Sequence, residues 1–120
     1  MKKIFIVEDD EFLRSLTVKR LEKEGYEVAV AEDGDKAIDL IPKEKPDAVL
    51  LDLLLPGKSG FEVLEKLKEG DDLKGVPVIV FSNLGQREDI DKAKKLGATD
   101  FLIKANFTLD DVVAKLGSLK

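Results

Sequence analysis

The residues best equipped for chemistry are a run of acids, Glu8-Asp9-Asp10, a lone aspartate, Asp52, inside an apolar stretch, and further on Ser82 and Lys104. Aspartate is almost never deeply buried unless it is paired, so Asp52, which interrupts the run from Ala48 to Leu55, reads as functional. The acids Asp9, Asp10 and Glu11 have a plainer explanation, because carboxylates ahead of a helix cap it and complement its dipole. Taken singly, Ser82 is a strand-end hydroxyl, Lys104 a surface charge and Phe101 simple core. What makes them a set is that each stands at or near the end of a successive apolar run.

If the first and third of those runs are neighbours, Glu8, Asp9 and Asp52 converge. Two like charges about 4 Å apart repel by roughly 4 kcal/mol at an effective dielectric of 20, so a proton or a cation must neutralise them. An all-oxygen site with few protein ligands suits Mg²⁺, which keeps several of its waters. Lys104 adds further positive charge. A carboxylate nucleophile, a hard-cation site, a hydroxyl and an ammonium together fit a phosphoryl group held on Asp52.

The composition narrows the alternatives. The 120 residues contain no cysteine and no histidine, which excludes disulfides, thiolate chemistry and every catalytic triad that needs an imidazole. With 20 basic against 25 acidic residues and a net charge of −5, there is no long basic stripe of the kind that tracks a phosphate backbone, so direct nucleic-acid binding is not expected. The four apolar residues between Lys3 and Glu8 are far short of a signal-peptide core or a membrane span.

The elements that must position these residues alternate along the whole chain. Strands are predicted over Lys3–Val7, Glu27–Ala31, Ala48–Asp52, Val78–Ser82 and Phe101–Ile103, and the near-continuous apolar third run reads as a central strand covered on both faces. Helices are predicted over Glu11–Glu24, Asp35–Ile41, Ser59–Glu69, Asp89–Leu96 and Thr108–Leu116. In the first of these Phe12, Leu13, Leu16 and Leu21 are expected to face the core; Gly25 should end it, and Pro42 should cut the second helix short. Strict strand and helix alternation with short connections implies an α/β, doubly wound five-stranded parallel sheet with helices on both faces, in one domain spanning residues 1–120. In such sheets ligands bind beyond the carboxyl ends of the strands, which is where the acids, Ser82 and Lys104 fall.

The motifs Ile6-Val7-Glu8-Asp9-Asp10, Leu50-Leu51-Asp52 running on through Leu55-Pro56-Gly57-Lys58-Ser59-Gly60, Phe81-Ser82 and Phe101-Leu102-Ile103-Lys104 resemble the receiver domain of two-component response regulators, over residues 3 to 116. The resemblance implies a flavodoxin-like sheet of order 2-1-3-4-5 and a phosphoacceptor role for Asp52. It implies Mg²⁺ held by Glu8, Asp9, Asp52 and the backbone carbonyl of Leu54, with Asp10 outside the acid pair. Ser82 and Lys104 would contact the phosphoryl oxygens, and Phe101 would take the aromatic switch position. The implied donor is a phosphohistidine on a sensor histidine kinase or phosphotransfer protein, and the output is an unidentified protein partner, with room for a phosphorylation-dependent dimer. The family is cytoplasmic and is not an enzyme class, although its members assist their own phosphorylation and dephosphorylation. No output domain is expected within these residues.

Moving a switch from 1:99 to 99:1 requires roughly 5.5 kcal/mol, which two or three hydrogen bonds to a charged group, at roughly 1.5 to 3 kcal/mol each, just supply to the face formed by the fourth helix, fifth strand and fifth helix. The chain departs from the family where Ala105 follows Lys104 in place of proline, and where Leu54 and Leu84 put apolar side chains two residues after Asp52 and Ser82. Two other readings are an interaction module that keeps the fold without phosphorylation, and a haloacid-dehalogenase-type phosphohydrolase. The second wants an aspartate as acid and base at the position Leu54 occupies.

Overall fold

A computed structural model describes residues 2–119. Five strands alternate with five helices: β1 Lys3–Val7, α1 Glu11–Lys23, β2 Glu27–Ala31, α2 Gly34–Glu44, β3 Ala48–Leu51, α3 Gly60–Glu69, β4 Val78–Ser82, α4 Arg87–Lys95, β5 Asp100–Ile103 and α5 Leu109–Gly117. All strands pair in parallel, in the order β2-β1-β3-β4-β5. Both the predicted fold class and the strand order are therefore present.

The period of two along each strand divides the core into two layers. Phe5, Val7, Val49, Leu51, Val78 and Val80 point to one face, where Ala37 and Ile41 of α2, Val63, Leu64 and Leu67 of α3, and Ala93 of α4 cover them. Ile4, Ile6, Ala48, Leu50, Ile79 and Phe81 point to the other, under Leu21 of α1 and Val112 and Leu116 of α5. Every residue of β3 is buried, as its sequence requires of a central strand.

Two sequence expectations are corrected. In α1, Phe12 is 69% and Leu16 43% exposed, while the buried positions are Thr17 and Leu21. At about 100° per residue, Phe12 and Leu21 lie roughly half a turn apart and cannot share a face. The helix turns its Leu13, Thr17 and Leu21 side inward, and Thr17 tolerates burial because its hydroxyl donates to the Leu13 carbonyl at 2.7 Å. In α2, Pro42 does not end the helix, which continues to Glu44 and closes with a Lys45 N–H bond to the Ile41 carbonyl at 3.1 Å. Proline removes one bond to the preceding turn, but Pro42 lies on the solvent side while Ile41 stays fully buried, so packing holds the last turn. Gly25 does end the first helix, at φ 96°, with the Tyr26 N–H closing on the Leu21 carbonyl.

Candidate functional site

The carboxyl ends of β1, β3, β4 and β5 meet at one edge, and the hydrogen-bond ladders run one residue past the strands. Glu8 N–H donates to the Ala31 carbonyl at 3.1 Å, Asp52 N–H to Val7 at 3.0 Å and Lys104 N–H to Ser82 at 2.9 Å. The side chains that leave these positions are thus mounted on sheet backbone. Of the buried polar residues Glu8, Thr17, Asp52 and Ser82, all but Thr17 are here.

Asp52 is 4% exposed, and both of its oxygens are engaged. Oδ1 accepts the Ser82 hydroxyl at 2.7 Å and the Leu54 N–H at 3.0 Å, while Oδ2 faces Lys104 Nζ at 2.7 Å. The same ammonium lies 2.6 Å from Glu8 Oε1. The repulsion expected between the converging acids is therefore answered by Lys104, which bridges them. Burial alone would depress the Lys104 ammonium, but its bonds to Asp52 and Glu8 and their charges hold it above the usual lysine range. Burial raises the Glu8 carboxyl above the ordinary value; the bonds from Lys104 and the Asp10 N–H oppose this, and the Asp52 charge adds to it. The Phe81 ring centroid lies 5.9 Å from the Lys104 ammonium.

Asp9 is exposed beside this pair. Glu8, Asp9 and Asp52 each offer a carboxylate oxygen within 4.8 Å of the others, a hard-oxygen donor set of the size and charge a small divalent cation takes. Asp10 turns away to cap α1, its carboxylate accepting the Leu13 N–H at 3.0 Å. Phe101 sits on β5 opposite Val80, half-buried against the α2, α3 and α4 layer. Leu54 is 50% exposed and Leu84 half-buried. The Lys104–Ala105 peptide is trans, as are all others among the described residues, and Lys104 reaches both acids in that form.

The loop after Asp52 is braced against the start of α2. Gly34 N–H donates to the Pro56 carbonyl at 3.3 Å, and a Cβ on Gly34 would collide with the Lys58 carbonyl. Glycine is required there by close backbone approach. Sequence reasoning passed over this contact, and it also passed over Arg14, whose Nη1 donates to the carbonyls of Glu8 at 2.9 Å and Asp9 at 3.4 Å. A basic residue in a helix that follows an acid run is a faint signal; only the folded loop shows which carbonyls it reaches.

The model of the response regulator receiver domain matches residues 4–116. The chain belongs to this family. It is 37% identical over 111 residues to sporulation initiation phosphotransferase F of Bacillus subtilis (strain 168), covering 92% of this chain and 87% of that one. The structure of the chemotaxis response regulator CheY4 of Vibrio cholerae superposes with a TM-score of 0.91 at 27% identity, over 100% of this chain and 99% of that one. The Mn²⁺-bound form of response regulator Rcp1 gives a TM-score of 0.82 at 30% identity, over 92% of this chain and 86% of that one. This receiver domain is a signalling domain of a two-component system, and among its described residues no helix is long and apolar enough to cross a membrane.

Proposed function

We propose that this receiver domain is a phosphoacceptor switch in which Asp52 takes a phosphoryl group from a phosphohistidine on a sensor kinase or phosphotransfer protein. The observation that carries this reading is the Asp52 carboxylate itself, buried at the sheet edge with a hydroxyl on one oxygen and an ammonium on the other. In the transfer an Asp52 oxygen forms the new P–O bond as the P–N bond to the donor imidazole breaks, and the imidazole leaves with the electron pair. These 120 residues hold no histidine, so the donor imidazole lies outside them. The exposed Phe12 and Leu16, on the helix that follows the acid run, offer that partner an apolar contact surface.

Glu8, Asp9, Asp52 and the Leu54 carbonyl would hold Mg²⁺, which when bound neutralises phosphoryl charge. Ser82 and Lys104 then pass from the carboxylate to the phosphoryl oxygens. Their movement is the signal: Ser82 ends β4 and Lys104 follows β5, so both draw on the face of α4, β5 and α5, and half-buried Phe101 follows. Solution in the cytoplasm suits this chemistry. The receiver fold used without phosphorylation is the competing reading, and the retention of Glu8, Asp9, Asp52, Ser82 and Lys104 at one edge weighs against it.

The test is an amide NMR comparison with and without beryllofluoride and Mg²⁺, on the wild type and on Asp52→Asn. Shifts at Ser82, Lys104, Phe101 and α4 in the wild type alone are expected. A wild type without such shifts would sink the phosphoacceptor reading.

A further inference from the structure

We infer that Arg14 is a positioning residue for the acid pair, fixing the backbone from which Glu8 and Asp9 project and so setting divalent-cation affinity; this rests on the Mg²⁺ reading above. The two acids are held differently. Glu8 is buried, its backbone N–H is in the sheet ladder, and its carboxylate accepts from the Asp10 N–H at 3.1 Å and pairs with Lys104. Asp9 is exposed, and among the described residues no donor bonds its carboxylate. The main chain sets where its carboxylate can reach.

That main chain lies between the end of β1 and the Asp10 cap, and Arg14 reaches back from α1 to hold it. One guanidinium nitrogen spans two successive carbonyls, Glu8 at 2.9 Å and Asp9 at 3.4 Å. The side chain is half-buried, and its permanent charge and rigid planar fork make it a fixed brace. Residues that orient metal ligands from behind typically change metal affinity by about 10- to 100-fold when lost.

The charge of Arg14 works in the opposite sense. A cation this close to an acidic cluster repels Mg²⁺, so removing it should tighten binding if charge were its whole influence. The sign of the change separates the two roles. Titration of the full chain with Mg²⁺ alone, followed by calorimetry, should give a dissociation constant about tenfold higher for Arg14→Met than for wild type. Arg14→Lys, which keeps the charge but ends one bond short of the Nη1 position, should fall between them. Equal or tighter binding by a folded Arg14→Met would overturn the inference while leaving the Mg²⁺ reading intact. If Arg14→Met does not fold, Arg14→Lys decides: weaker binding supports the brace and unchanged binding overturns it. A wild type that binds no Mg²⁺ would overturn the metal reading and this inference together.

Discussion

Lys104, at the end of an outer strand, closes an ion pair with Glu8 across the two intervening strands β3 and β4, Nζ standing 2.6 Å from Oε1. On its way it meets Asp52 at 2.7 Å. One ammonium therefore bridges two buried carboxylates from different strands and offsets one of their two negative charges. Among the described residues no buried side-chain polar atom is left without a partner.

Removing that ammonium should be costly. Lys104→Met strands two acids in a buried site, and breaking a buried pair from one side typically costs about 3 to 5 kcal/mol. Urea denaturation in the presence of EDTA should show a loss near the lower figure. Adding Glu8→Gln to Lys104→Met should recover part of it, because one of the stranded charges is then gone.

The apolar side chains of Leu54 and Leu84 cannot orient an attacking water, so the phosphorylated form should be long-lived. Leu54→Asn and Leu84→Glu should each speed loss of the phosphoryl group. A positioned acid or base contributes about 10²- to 10⁴-fold, and a side chain that only orients water should give on the order of tenfold. Phosphoryl release measured over time checks this, and equal or slower loss in the polar variants would refute the assignment.

The two faces of α1 make opposite predictions. Phe12→Ser removes a side chain already in water and should leave stability within about 0.5 kcal/mol of wild type. Leu21→Ala empties a buried position and should cost about 2 to 5 kcal/mol. Thermal or urea melts of the pair decide which stripe carries the packing.

Gly34 and Gly70 form a similar contrast. A methyl group on Gly34 meets the Lys58 carbonyl, whereas nothing lies within 4 Å of one placed on Gly70. Gly34→Ala should destabilise by about 1 to 3 kcal/mol through overpacking. Gly70→Ala should change stability by less than about 1 kcal/mol, in the stabilising direction if at all. Denaturation midpoints report both.

The Asp47 carboxylate accepts the backbone N–H groups of Lys2 and Lys3, each at 2.8 Å, and these bonds hold its pKa below the usual 3.8. A depressed folded-state pKa contributes stability that is present above the unfolded value and is lost as pH falls through the folded one. Wild type should therefore lose more stability than Asp47→Asn as pH drops from about 4 downward, an effect kept modest by the exposure of the site. Denaturation curves across that range would show the two converging.

Much of the fold was legible because a parallel sheet buried on both faces needs apolar runs that leave little ambiguity. Ala48–Leu51 and Val78–Ser82 are such runs, and Asp52 was conspicuous because burial of a carboxylate is costly. The faces of α1 were less legible. Its apolar residues, Val18 included, spread over about two thirds of the circumference, and periodicity does not say which part of that arc meets the sheet. The reach of α2 past Pro42 was hidden for a related reason: local propensity penalises proline, but the burial of Ile41 beside it outweighs that cost.

The sequence by itself determined the alternation of elements, singled out Glu8, Asp9, Asp52, Ser82 and Lys104 at the ends of the apolar runs, and supplied no histidine within these residues. Those follow from residue type and short-range period. Only the tertiary structure decided that Lys104 answers both Glu8 and Asp52, that Arg14 holds the carbonyls of Glu8 and Asp9, and that Gly34 lets the Asp52 loop close on α2. Strand order sets which residues meet, and the energies that settle such contacts depend on distance and burial, which exist only once the sheet has brought its strand ends together.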